Sequence, residues 1–145
     1  MIETVILDSG PLGMISHPRA MEEIKNWLAH LLDVGKTVYV PEIADYEVRR
    51  ELLRISSIKG LRRLDRLKLT LKYLPITTDA MLLAAEFWAD TRKRGLPTGH
   101  ERSLDADAIL AAQAATCSTQ SVVIATTNPI HLNRFVAAER WEDIQ

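Results

Sequence analysis

Thr4-Val5-Ile6-Leu7-Asp8-Ser9-Gly10-Pro11 sets the reading of the whole chain. A short run of β-branched and aliphatic residues makes a buried strand, and it stops abruptly at an acid followed by turn residues. Working outward, Met21, Ile24, Trp27, Leu28, Leu31 and Leu32 keep helical spacing between Ala20 and Leu32, and Gly35 ends that helix. Thr37-Val38-Tyr39-Val40 is a second strand closed by Pro41, with a helix predicted from Glu42 to Ile55. Leu61, Leu64, Leu67 and Leu71 mark another helix, and Lys72 to Ile76 is a third, short strand.

Thr77-Thr78-Asp79 can cap the next helix, where Leu83, Ala84, Phe87 and Trp88 share a face. Arg92 to Arg102, with Gly95, Pro97 and Gly99, is expected as a mobile loop. A helix from Asp105 to about Cys117 and a fourth strand from Ser121 to Thr126 follow, and then a turn and short helix from Asn128-Pro129. Strands alternating with helices imply an α/β fold with a mostly parallel sheet. Ligands of such sheets bind outside the carboxyl ends of the strands, which directs attention to Asp8 and to Thr126–Asn128.

Size and composition narrow the function classes. A chain of 145 residues suits a single domain spanning 1–145. No apolar run reaches the roughly 18 residues of a membrane span, and the N-terminus lacks the basic region and cleavage site of a signal peptide. Cys117 is the lone cysteine, so an intrachain disulfide is impossible and a thiolate zinc site improbable. A reducing cytoplasm is the expected setting. The net charge of −1 conceals an asymmetry. Between Arg49 and Lys72 lie nine of the 18 basic residues, opposed only by Glu51 and Asp65.

Several residues can carry chemistry. Asp8, desolvated at a strand end, needs a donor, a cation or a metal, although it can equally cap the turn that follows. Asp105 and Asp107 open the Ala-rich helix, where acids complement the helix dipole. Residues two apart differ by roughly 200° around a helix, so both cannot face one point. Either Asp105 is the N-cap and Asp107 faces the site, or Asp105 contributes from further away. Glu47 and Glu51 are equal candidates by composition, and both also suit a solvated, ion-paired face. Thr126-Thr127-Asn128 can hold water, a carboxylate or phosphate, or simply start a turn. His131 and His100 show no metal-ligand spacing, Ser9 has no nucleophile-elbow setting, and no Gly-rich phosphate loop occurs.

The ordered pieces nevertheless resemble one family along nearly the whole chain. Ile6-Leu7-Asp8-Ser9-Gly10-Pro11-Leu12, Val40-Pro41-Glu42-Ile43 leading to Tyr46-Glu47-Val48-Arg49-Arg50, Leu104-Asp105-Ala106-Asp107-Ala108-Ile109-Leu110-Ala111-Ala112-Gln113-Ala114 and Ala125-Thr126-Thr127-Asn128 resemble, in order, the four signatures of PIN domains. Within that family the chain resembles the VapC type of toxin. The resemblance implies a three-layer α/β/α fold with a mostly parallel central sheet of four to five strands. It selects Glu47 over Glu51 and makes Asp107 the third acid, with Asp105 a plausible extra one. His131 stands where many members carry a further acid, and Asp105 or Asn128 would compensate.

The resemblance further implies a metal-dependent endoribonuclease, with Mg²⁺ or Mn²⁺ held by Asp8, Glu47, Asp107 and Asp105. Asn128 joins these as a catalytic candidate, and Ser9 and Thr126 support the site. Hard divalent cations favour such oxygen ligands and relieve carboxylate repulsion. Arg49, Arg50, Arg62 and Arg63 are then candidates for guiding an RNA backbone toward an acidic site. A small antitoxin, seated in a groove involving Leu53, Leu61 and Leu64, and a homodimer are the implied partners. Rival readings are an inactive PIN-like RNA-binding or scaffold protein, and a PIN nuclease of RNA processing without an antitoxin.

Overall fold

The computed structural model describes the chain outside residues 97–100 and 118–120, and at residues 101 and 102 the backbone alone. Strands β1 (Thr4–Leu7), β2 (Thr37–Pro41), β3 (Lys72–Leu74), β4 (Val122–Thr126) and β5 (Ala138–Arg140) form one sheet in the order β3-β2-β1-β4-β5. Every neighbouring pair is parallel. The helices are α1 (Ser9–Ser16), α2 (Glu22–Asp33), α3 (Glu42–Arg54), α4 (Ile58–Thr70), α5 (Thr78–Lys93) and α6 (Glu101–Ala115).

Alternation along β1 divides the core. Val5 and Leu7 join residues of α1 to α4 on one face, whereas Ile6 joins Leu110 and Ala114 of α6 on the other. Helix α5 lies outside α6, where Ala80 and Ala84 meet Ala108 and Ala112 so that the two axes approach closely. The result is the expected α/β/α sandwich, with five strands and no antiparallel member among the described residues.

The chain turns from one side of β1 to the other between β1 and β4, which makes that junction the switch point of the sheet. Several expectations change in detail. The turn after β1 is the first turn of α1, with Asp8 as its N-cap and Pro11 at a position where no backbone N–H is needed. Helix α6 begins at Glu101, so Asp105 sits inside it and is not its N-cap. The loop expected over 92–102 is shortened from both ends by α5 and α6, and residues 97–100 of it, His100 included, lie outside the described residues. The turn after β4 leads to a single 3₁₀ turn at Leu132–Arg134, and β5 follows as a strand that the sequence pattern does not announce.

Two buried polar side chains fix the helices around the switch point. Gln113 of α6 is 1% exposed. Its Oε1 accepts from the Ile43 N–H in the first turn of α3 (3.3 Å), and its Nε2 donates to the Leu74 carbonyl at the end of β3 (2.8 Å). Glu42 accepts from the Ile76 N–H at 2.7 Å, tying the same end of α3 to the chain beyond β3. Asp45, 5% exposed, is gripped by Arg49 (3.0 Å) and Lys68 (2.9 Å), which joins α3 to α4. Replacing Gln113 by Leu leaves a helix-end N–H and a strand carbonyl buried without partners. We expect Gln113→Leu to cost about 1–3 kcal/mol, read as a lowered midpoint in urea unfolding at unchanged slope. An unshifted midpoint would mean that water replaces the carboxamide.

Candidate functional site

Three acids far apart in sequence meet at the carboxyl edge of the sheet. Asp8 caps α1 as β1 ends. Its Oδ1 accepts from the Ser9 N–H at 2.7 Å and lies 3.5 Å from the Ser9 hydroxyl, while its Oδ2 accepts from the Thr126 hydroxyl at 2.7 Å. Thr126 is the last residue of β4 and is buried. The carboxylate is thus stretched between the two strands of the switch point, and it sits at the positive end of α1, which favours its charge. Gly10 completes the junction. A Cβ there would lie 3.0 Å from Thr127 Cγ2, so glycine is what lets the first turn of α1 lie against the chain leaving β4.

Burial pushes the Asp8 carboxyl up from the ordinary range, against the lowering effect of the Thr126 and Ser9 hydrogen bonds. Glu47, one turn along α3 from Ile43, is raised by burial and then by the charge of Asp8, and lowered by Arg50 and the Ser9 hydroxyl. Asp107 on α6 is pushed up to about 7, by burial first, then by the charges of Asp8 and Glu47, with Arg134 opposing. The charge of Asp8 acts on Glu47 and Asp107 and that of Glu47 on Asp107, so the three titrate as a coupled set.

The other predicted residues sort themselves around this trio. Glu51 is exposed and bound by Arg54, and it is not among the charges that act on Asp8 or Asp107. Asp105 is exposed and lines a cleft with Tyr46, Glu47 and Arg50, but it is not among the charges that perturb the three acids. Asn128 is exposed too. Its N–H donates to the Thr126 hydroxyl (3.2 Å) and its Oδ1 accepts from the Ile130 N–H (3.4 Å), so it shapes the turn beside the site. His131 is partly buried, with its Nδ1 unpaired.

Of the four arginines expected to meet RNA, Arg50 pairs with Glu47 at 3.8 Å and Arg49 is held by Asp45 and Asp65. Arg63 donates to the Ile15 carbonyl, and Arg62 is exposed. Leu64 is fully buried and cannot line a groove, whereas Leu53 is exposed and Leu61 half-buried. Sequence reasoning missed two contributors. Gln113 was detectable as the one amide within a run of buried alanines; Arg134, in a short irregular turn, gave no such signal.

The donor chemistry suits a hard divalent cation: three carboxylates, all raised by burial, two of them further by mutual repulsion, supply only oxygen. Among the described residues no three acidic, His or Cys side chains converge closely enough to enclose an ion as they stand. The three acids are close enough for their charges to act on one another, and holding a cation between them requires them to draw closer.

A family model described as PIN domain matches residues 5–134. Similar solved structures include VapBC2 from Rickettsia felis bound to a DNA fragment from its promoter, with 17% identity, TM-score 0.73, and coverage of 95% of this chain and 98% of that one. FitAcB from Neisseria gonorrhoeae is 20% identical, with TM-score 0.70 and coverage of 97% and 99%. VapBC-1 from nontypeable Haemophilus influenzae is 15% identical, with TM-score 0.68 and coverage of 95% and 98%. At these identities the likeness is one of fold. No curated protein sequence matches the chain.

The raised Asp107 has a consequence for stability. In the unfolded chain this carboxyl ionises near 3.8, and in the folded protein near 7. Between those values the folded state binds more protons, so stability falls as pH rises through the window and levels off above it. Asp107→Asn is therefore expected to stabilise the metal-free protein at about pH 8 by about 1–2 kcal/mol, after discounting for partial exposure to water. The gain should fade toward about pH 4 in thermal or urea melts, and a gain independent of pH would have another origin.

Proposed function

The chain belongs to the PIN-domain family, and from that premise we propose that it is a metal-dependent endoribonuclease acting as the toxin of a type II toxin–antitoxin pair. The observation that carries this reading is the electrostatic coupling of Asp8, Glu47 and Asp107 at the switch point of a parallel sheet. Carboxylates repel one another, and a protein that gathers them without a compensating cation loses stability for no structural return.

Asp8, Glu47 and Asp107 would hold Mg²⁺ or Mn²⁺, with Asp105 and Asn128 as candidates at the rim. A divalent cation bound there supplies Lewis acidity, activating water and offsetting charge on a phosphodiester. The chain's own residues do the rest. Ser9 and Thr126 hold the Asp8 carboxylate in one orientation by donating to its two oxygens. Asp107, whose carboxyl is raised by burial and by the charges of Asp8 and Glu47, gains most from a cation placed among the three acids. Arg134 opposes the charge of Asp107 and is a candidate to offset charge on a phosphodiester held there.

The antitoxin reading draws on the fold shared with VapBC and FitAB structures and on exposed apolar side chains such as Tyr46 and Leu53 along α3. A homodimer and a cytoplasmic setting accompany it. No helix among the described residues is long and apolar enough to cross a membrane.

Incubating the purified protein with single-stranded RNA and Mg²⁺ or Mn²⁺ tests the proposal. Cleavage should disappear with a chelator and fall by about a hundredfold or more in Asp8→Asn and Glu47→Gln, while Glu51→Gln stays near the parent rate. Equal cleavage by the parent and Asp8→Asn proteins would sink the site, and no cleavage of any RNA would favour an inactive binding protein.

A further inference from the structure

The basic segment divides once its partners are assigned. Arg49, Arg50, Arg54 and Lys68 are neutralised by Asp45, Asp65, Glu47 and Glu51. Lys59, Arg62, Arg63 and Arg66 of α4 remain, with Lys72 apart from them in β3. They recur at three- and four-residue intervals, which places them along one side of the helix. No ion pair among the described residues uses them. The opposite side of α4 is fixed in the core through Leu64, so this strip cannot turn inward.

Within the strip lies a built feature. Arg63 reaches to the last turn of α1 and donates Nη2–H to the Ile15 carbonyl at 3.0 Å, while its Nε is buried without any hydrogen-bond partner. A notch of about 150 Å³, lined by Ile15, Arg63, Arg66, Leu67 and Thr70, opens beside it. An unpaired buried guanidinium N–H is costly, and most such groups have a partner. With Nη2 committed to Ile15 and Nε shielded from solvent, the notch offers a phosphate the partly buried charge of Arg63 and the guanidinium fork of the exposed Arg66.

We propose that this notch between the C-terminal end of α1 and α4 is a phosphodiester subsite that anchors single-stranded RNA. It rests on the nuclease reading of the carboxylate cluster. Helix α1 spaces the two: Asp8 caps one end and Ile15 lies seven residues along, about 10 Å at 1.5 Å per residue. A polyanion is repelled by three acids, so its grip must come from cations placed beside them and not among them. The strip meets that requirement, and the arginines of α3 do not, because their charge is already answered.

The test uses a short fluorescein-labelled oligouridylate and the Asp8→Asn protein, which should bind without cutting, with affinity followed by anisotropy across a salt series. Arg66→Gln is expected to weaken binding about five- to tenfold and to flatten the dependence of log K on log salt by about 0.7, one single-strand phosphate contact. Arg66→Lys should restore the slope but only part of the affinity, since it returns charge without the fork. Lys25→Gln, an equal loss of charge on α2 where Lys25 already pairs with Glu22, should change binding less than about twofold. Arg66 is exposed, so its replacement does not endanger folding.

Equal effects of Arg66→Gln and Lys25→Gln, with the Asp8→Asn protein still binding, would overturn the subsite and leave the nuclease reading intact. Absence of RNA binding together with absence of cleavage by the parent protein would overturn both. Displacement of the oligouridylate by polyglutamate as effectively as by unlabelled RNA would reassign the notch to an acidic protein partner.

Discussion

Carboxylates brought together out of water repel one another, and the local structure around Asp8 is organised to tolerate that. The fold places the end of β1, the middle of α3 and the middle of α6 around one space, and each contributes an acid. Nothing in hydrophobic burial asks for this. What makes it tolerable is a set of directed compensations: two hydroxyls and a backbone N–H on Asp8, the positive end of α1, and arginines whose charges reach Glu47 and Asp107 separately. These offset only part of the penalty, since all three acids keep raised pKa values. The residual repulsion is a cost that a cation would relieve under the proposed function.

A site built on repulsion needs a stiff frame, because repelled groups drift apart wherever the backbone yields. The frame is polar as well as apolar. Gln113 spans α6, the start of α3 and the end of β3 with a single side chain, so it ties the helix that carries Asp107 to the helix that carries Glu47 and to the sheet. Asp45 performs the equivalent joining of α3 to α4, with Lys68 lying over the Tyr73 ring at 4.7 Å. Parallel sheets are buried on both faces, so polar groups at their edges must be satisfied by side chains of the covering helices. Gln113 and Glu42 do this at the edge of the sheet that faces the site.

Much of this was legible in the residues. The strand that ends at Asp8 and the helix that follows Pro41 are strong local signals, and the Ala-rich repeat from Leu104 could hardly be anything but a helix packed closely on a neighbour. Their order placed the carboxyl edge of the sheet without any coordinates. Other features depended on distance in space. Whether Glu47 or Glu51 faced inward could not be decided by composition, because both neighbour arginines, and only the packing of α3 shows that Arg54 claims Glu51. Asp105 was expected as a possible N-cap because Gly95, Pro97 and Gly99 suggested a loop running to Arg102. The helix starts four residues sooner, which turns Asp105 to an exposed position. β5 is three residues long and has no apolar run, so periodicity alone has little to read there.

The basic segment shows most clearly why charge counted along a chain differs from charge displayed on a surface. Nine cations against two acids reads as a uniform positive patch. Folding brings in Asp45 from within α3 and Glu47 from the site, neither of which lies inside the counted segment, and each cancels a cation at short range. The unanswered positive charge is thereby left mainly on α4, while on α3 Arg50 stays paired with Glu47 of the acid cluster. Acids and bases kept on separate elements escape mutual neutralisation, and α1, with Asp8 at one end and Ile15 beside Arg63 at the other, separates the acid cluster from the unpaired bases of α4.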